Sequence, residues 1–334
     1  MTPTRKDRII GGLLGVHAGD SLGATLEFDS WESIKNRHPA GIRDIVGGGP
    51  FQWPAGHATD DTDLTRAVLL AYRDREAGRR DGDLEGFDIG LVAGKYMLDW
   101  FDGEWPDREP GSQPVDVGFA TSSGLEMLRR TGDPRKAGAG PGSAGNGSLM
   151  RCIPTALFGE NDASIVEDSI LISGITHNDT RCTVACAAYN IMARALLHDA
   201  TPAEAMDAGL ATAKALWEAK VPGRPNAVGE AIELGGRLSL QELAENGPAP
   251  LPGKASGYVL ESLTLAVAAL LDPRPLVDVL VDVIRIGKDT DTNGAIAGGL
   301  LGVRDGVGAL SSQWRPILQF GDEFEEMVTE MLGE

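Results

Sequence analysis

Carboxylates and hydroxyls crowd into two short stretches that lie far apart in the chain, Thr59-Asp60-Asp61-Thr62-Asp63 and Asp289-Thr290-Asp291-Thr292. Hard divalent cations such as Mg²⁺ and Mn²⁺ take oxygen ligands of this kind. Brought together, the two stretches carry enough oxygens for a two-metal site. Each alone also suits a helix N-terminus, where Asp and Thr cap free N–H groups and complement the helix dipole. An apolar-periodic run does follow each one, at 64–72 and 295–303. Capping needs one acid, however, not two or three. A helix N-terminus is also a rigid mount for a ligand, so the two readings are compatible.

Four further places carry chemistry. Gly19-Asp20-Ser21-Leu22-Gly23-Ala24-Thr25-Leu26-Glu27-Phe28 closes a glycine-rich helix with an acid, Glu27. Pro114-Val115-Asp116-Val117-Gly118 sets one acid, Asp116, in an otherwise apolar loop end, where turn capping is the plainer role. The run 140–151 is a glycine loop containing Gly145-Asn146-Gly147-Ser148-Leu149-Met150-Arg151, read as entering a helix. Its successive N–H groups could cradle phosphate. It lacks the Walker Gly-Lys-Ser/Thr ending and a Rossmann strand context, which argues against an NTPase or a dehydrogenase. Thr176-His177-Asn178-Asp179 precedes a long Ala-rich run, and His177 alone equally suits capping or packing.

The elements that must position these residues read as helices. Apolar periodicity predicts them at 5–25, 64–77, 88–100, 122–130, 181–198, 202–219, 257–271, 275–286 and 293–303, with no convincing alternating strand. Glycines recur every fourth residue at Gly11, Gly15, Gly19 and Gly23, and again at Gly294, Gly298, Gly302 and Gly306. Each such stripe lacks side chains, so another backbone can approach closely, despite a propensity cost of about 1 kcal/mol per glycine. The two stripes are expected to be buried near the acidic stretches, packed on each other through their i±4 ridges. Gly/Pro-rich loops at 102–118, 131–148 and 247–257 interrupt the helices, with core-type helices on both sides of each. The expectation is one compact all-α domain over 1–334.

Composition narrows the function. Lys+Arg number 30 against 49 Asp+Glu, a formal net charge of −19. A nucleic-acid surface needs a basic footprint, so no nucleic acid is expected. The three cysteines, Cys152, Cys182 and Cys186, form no disulfide framework and fit a reducing cytoplasm. Zinc would need two more ligands beside Cys182 and Cys186, and only His177 is near in sequence. Lys6 and Arg8 before the apolar run 9–16 faintly suggest a signal peptide, but the run is short, and it reads as a core helix. No stretch approaches the roughly 20 apolar residues of a membrane span.

In order and wording, these motifs resemble the ADP-ribosylglycohydrolase family, which includes dinitrogenase-reductase-activating glycohydrolase and the ADP-ribosylarginine and ADP-ribosylserine hydrolases. The resembling pieces are 19–28, 59–62, 114–118, 145–151, 176–177 and 287–302, nearly the whole span of the chain. The resemblance implies an all-α orthogonal bundle with a dinuclear Mg²⁺ or Mn²⁺ centre in a central cleft. It implies Thr59, Asp60, Asp61, Asp289, Asp291 and Thr292 as ligands, with Asp291 bridging. Glu27 would lie near the attacking water, and Asp116 would serve as the acid for a nitrogen-linked leaving group. Gly118, Gly145, Asn146, Gly147, Ser148, Met150 and His177 would hold ADP-ribose. Lys288, where many relatives have a small residue, and the long loop before Asn146 are departures that bear on the outer part of the substrate.

The implied activity is metal-dependent removal of ADP-ribose from a modified protein or other ADP-ribose conjugate, with the arginine linkage favoured. The chain is expected to act as a cytoplasmic monomer. The alternatives are an O-linked (serine or O-acetyl) ADP-ribose hydrolase, a catalytically silent ADP-ribose binder, and another two-metal hydrolase such as a phosphoesterase.

Overall fold

A computed structural model describes residues 2–333. Among these the chain is helical: α1 (Arg5–Gly23), α2 (Trp31–Arg37), α3 (Asp60–Asp81), α4 (Ile89–Phe101), α5 (Phe119–Thr131), α6 (Pro154–Phe158), α7 (Asp162–Gly174), α8 (Thr180–Leu197), α9 (Pro202–Lys220), α10 (Ala227–Gly235), α11 (Leu240–Asn246), α12 (Val259–Leu271), α13 (Leu276–Arg285), α14 (Thr290–Asp305) and α15 (Gly321–Leu332). β-Type pairing among the described residues is limited to three isolated bridges, Gly48 with Trp53, Ala139 with His177 and Gly145 with Tyr258. The all-α expectation holds. Among the described residues no helix is long and apolar enough to cross a membrane.

Every helix expected from periodicity is present, its ends displaced by about a turn at most. Periodicity did not reveal α2, α6, α7, α10, α11 and α15. Of these, α2, α6 and α11 span seven residues or fewer, too short for a 3.6-residue pattern to stand out. The glycine loop does not enter a helix: residues 147–151 run in turns, and α6 begins only at Pro154.

The two glycine stripes face each other. α1 and α14 run antiparallel, with Gly11 against Gly302, Gly15 against Gly298, Gly19 against Gly294 and Gly23 against Thr290. A Cβ added at any of these glycines would stand less than 3.0 Å from a backbone atom of the opposite helix. Both helices are buried almost along their whole length.

The antiparallel pairing puts the C-terminal end of α1 beside the N-terminal end of α14. Glu27, just past α1, therefore arrives next to Asp289, Asp291 and Thr292. Three bonds latch this corner: Thr290 Oγ1 to the Gly23 carbonyl at 2.7 Å, and the Phe28 and Lys288 N–H groups to Lys288 and Asp29 carbonyls, each at 2.7 Å. Phe28 and Lys288 both adopt positive φ, 65° and 68°. That is strained for a bulky residue and persists only because the latch holds it.

The other acidic stretch docks on α1 through a buried carboxylate. Asp20 accepts from the Thr59 and Thr62 N–H groups at 3.1 and 3.3 Å and from the Thr62 hydroxyl. It thereby caps α3 from outside, as Thr59 caps it from within by accepting from Asp61 N–H at 3.3 Å.

Candidate active site

The two acidic stretches meet. Thr292 Oγ1 donates to Asp61 Oδ2 at 3.2 Å, although the two residues lie in α14 and α3. Asp289 is the N-cap residue of α14, yet its side chain does not cap the helix. It accepts instead from Asn146 Nδ2 at 2.7 Å. The first stretch thus combines capping with presentation of its acids, and the second leaves its carboxylates for other use. Glu27, Asp116 and Asp291 each offer an oxygen within 4.8 Å of the others. This is the one group of His, Cys, Asp and Glu among the described residues that could hold a metal ion, and the zinc alternative at Cys182, Cys186 and His177 has no such geometry. Asp116 stands inside the ligand-bearing group beside Glu27 and Asp291.

These acids line a cleft of about 860 Å³ with Asp60, Asp289 and Thr292. Its far wall is the glycine loop 142–147 with Met150 and His177, and Gly118 and Phe119 stand on the rim. Thr59 and Asp61 sit just behind the lining, fully buried. Ser148 does not reach the cleft. Its hydroxyl is buried beneath the loop, 2.9 Å from Ser173 Oγ and 3.5 Å from Cys186 Sγ. The Ser148 side chain thus faces away from the cleft, unlike the other loop residues expected to hold substrate.

The electrostatics are those of a cluster without its counter-charge. Burial, then the neighbouring carboxylates, push Asp60, Asp61 and Asp291 well above the usual carboxylate range. Burial first, then Asp116 and Asp289, raise Glu27 to about 8. Asp116 rises to about 6 by burial and Asp289. Asp61 Oδ1, Asp291 Oδ1 and Glu27 Oε2 are buried without a hydrogen-bond partner. Buried polar oxygens ordinarily have one. Orphaned anionic oxygens converging in one cleft are what a hard divalent cation would satisfy, and its charge would reverse these upward shifts. The residues fit such ions.

The opposite wall suits an anion. Arg151, fully buried, bonds the Gly147 carbonyl at 2.5 Å and Thr176 Oγ1 at 2.7 Å. Thr176 Oγ1 lies 2.8 Å from His177 Nδ1. Burial and then Arg151 lower the His177 pKa to about 3, so the ring is neutral. The imidazole is next to Gly145 and Gly147: a Cβ on either glycine would crowd it. The loop itself is pinned by Asn146 N–H to the Gly257 carbonyl at 3.1 Å. The glycine loop and the neutral His177 thus form this wall, with the Arg151 charge beneath them. The sequence reading missed Arg151 and Asp20 as positioning residues. Both lie inside the quoted motifs, but nothing in local sequence says that they point inward.

The comparisons agree with this geometry. The ADP-ribosylglycohydrolase family profile matches residues 1–334. The chain is 27% identical to an ADP-ribosylarginine hydrolase, Tri1, of Pseudomonas putida (strain GB-1) over 333 residues, covering 99% of this chain and 80% of that protein. It is 28% identical over 314 residues to the ADP-ribosyl-[dinitrogen reductase] glycohydrolase of Rhodospirillum rubrum, covering 93% and 90%. A solved ADP-ribosylglycohydrolase-related protein complex superposes with a TM-score of 0.75 at 25% identity, covering 98% of this chain and 97% of that one. With helices, glycine-stripe core and acidic cleft in place, the chain belongs to the ADP-ribosylglycohydrolase family.

Proposed function

We propose that the protein is a divalent-metal-dependent hydrolase that removes ADP-ribose from modified protein side chains, with the arginine linkage as its preferred substrate. The observation that carries this is the meeting of the two acidic stretches, with Glu27 and Asp116, in one cleft that the glycine loop also lines. The relatives named for arginine and dinitrogen-reductase conjugates support the substrate class.

Thr59, Asp60, Asp61, Asp289, Asp291 and Thr292 would hold two Mg²⁺ or Mn²⁺ ions. When bound, such ions polarise oxygen substituents and make hydroxide available near neutrality. The chain's own residues do the rest. The glycine loop and His177 receive the diphosphate and ribose, as Asn146 holds Asp289 toward the reacting end. A water oxygen then bonds to the anomeric carbon of the distal ribose. The carbon–nitrogen bond breaks with its electron pair leaving on the guanidine nitrogen. Glu27 takes the proton that the water loses, and Asp116 delivers one to the nitrogen. The products are ADP-ribose and an unmodified arginine.

Asp116 decides the linkage in this scheme. A neutral guanidine leaves poorly without a proton, so Asp116→Asn should cost roughly 10²–10⁴-fold on arginine-linked ADP-ribose and much less on serine-linked ADP-ribose. Single-turnover rates on both conjugates check this. Unchanged arginine cleavage, or a parent protein that cleaves only the serine linkage, sinks the assignment. The closeness of Asp116 to Glu27 and Asp291 favours a second reading, in which it is itself a ligand. Metal stoichiometry of Asp116→Asn separates the two, because an acid can be lost with both ions kept and a ligand cannot.

A further inference from the structure

A second hollow, of about 270 Å³, opens beside the first and shares two wall residues with it, Asp60 and Asp116. The glycine loop, the carboxylate cluster and this hollow thus lie in sequence. A conjugate whose diphosphate sits on the loop and whose anomeric carbon sits at the cluster has the hollow available for the group beyond the scissile bond. We propose that it is the acceptor subsite and that it selects a planar cationic side chain, a guanidinium, over a neutral one. This inference rests on the ADP-ribose reading above and adds the residues that read the acceptor.

The outer wall comes from the loop 102–118, which is folded rather than loose. Asp63 accepts from the Trp100 and Trp105 indole N–H groups at 2.9 and 2.8 Å, and Gly111 N–H donates to the Asp102 carbonyl at 2.7 Å. This places Asp107 and Glu109 at the mouth of the hollow, both solvent-exposed. Arg108, the guanidinium in the same wall, is committed to the Trp100 and Ser112 carbonyls at 2.6 Å each. Among the described residues it forms no ion pair with Asp107 or Glu109, although its charge stays in the wall. Glu109 has no ion-pair partner among the described residues, and Asp107 accepts from the uncharged Gln319 amide at 2.9 Å. The remaining wall includes an aromatic face. Trp53 stacks on His57 with ring centroids 4.8 Å apart, and its indole N–H is buried without a partner. Beyond Trp53 lie Phe51 at 5.9 Å and then Phe28 at 6.2 Å from Phe51, so an aromatic row joins this hollow to the main cleft, which Phe28 lines.

Acids at the edges and an aromatic face in the wall are the surroundings that a guanidinium prefers: it pairs with carboxylates in its plane and stacks on rings through its faces. A neutral serine hydroxymethyl group gains neither interaction.

The test uses the Mg²⁺-loaded full chain and the double variant Asp107→Asn/Glu109→Gln, with Trp53→Ala as an independent second variant. Turnover of ADP-ribosylarginine and of ADP-ribosylserine is measured for each, and calorimetry gives the affinity for free ADP-ribose. The double variant should lose about tenfold or more in kcat/KM on the arginine conjugate, as expected for two partly exposed charge interactions. It should keep its ADP-ribose affinity and its serine rate, and Trp53→Ala should shift the same ratio in the same direction. Unchanged arginine preference in both variants overturns the subsite alone, whereas a parent that turns over the serine conjugate faster overturns the subsite and the preferred linkage together. A parent that binds no ADP-ribose overturns the proposed function, and the subsite with it.

Discussion

Replacing Asp291 by Asn should leave the fold intact and remove both the activity and the response to divalent metal. Asp291 is buried at the N-terminus of α14, its Oδ1 has no partner, and the charges of Asp61, Asp289, Glu27 and Asp116 all bear on it. In the metal-free protein the substitution removes one of several mutually repelling groups, so the melting temperature should hold or rise slightly. In the parent, an ion at a hundred times its dissociation constant should add about 2.7 kcal/mol of stability. That increment should vanish in the variant. Loss of turnover should exceed the ~100-fold that disturbing a supporting hydrogen bond in a metal site can cost. Thermal melts with and without Mn²⁺, alongside single-turnover hydrolysis, give both readings. A variant that still gains stability from Mn²⁺ and still turns over would place the ions elsewhere.

The distance between what the sequence shows and what the fold adds can be read from particular residues. Oxygen-rich stretches such as 59–63 and 289–292 are legible because a ligand set depends on residue type over four or five positions. The glycine stripes are legible because a spacing of four is itself helical geometry, and the same stripe occurs at both ends of the chain. Ser148 is the opposite case. It lies in a run of turns, where no period dictates which side chains face the cleft, and its hydroxyl went to Ser173. Asp20 looked like the polar end of an apolar run, and its role in capping α3 across 39 residues of sequence appears only in the fold. The loop 102–118 offered Gly and Pro and no pattern. Its shape depends on two tryptophans converging on one buried carboxylate, Asp63.

Gly15→Leu and Gly302→Leu should each destabilise the protein by about 3 kcal/mol or more, at the upper end of what overpacking ordinarily costs. Overpacked cores usually relieve themselves by rotating a neighbouring side chain. Here the first atoms that a new Cβ would meet belong to backbone, the Gly298 carbonyl for Gly15 and the Gly11 carbonyl for Gly302. Backbone in a helical ladder cannot turn aside, so α1 and α14 must separate along the whole stripe. Gly308→Ala is the matched control, since a Cβ there meets nothing within 4 Å. Chemical denaturation of all three checks the ranking, and unchanged midpoints for both leucine variants would refute the close packing. Separation of the helices also has a chemical consequence. Glu27 follows α1 and Asp291 opens α14, so the stripe sets the spacing between the two carboxylates. Below the melting transition, at a temperature where both leucine variants remain folded, affinity for Mn²⁺ should already be weaker than in the parent. The Gly15 variant should show the larger loss, because its position lies nearer the carboxylate end of α1.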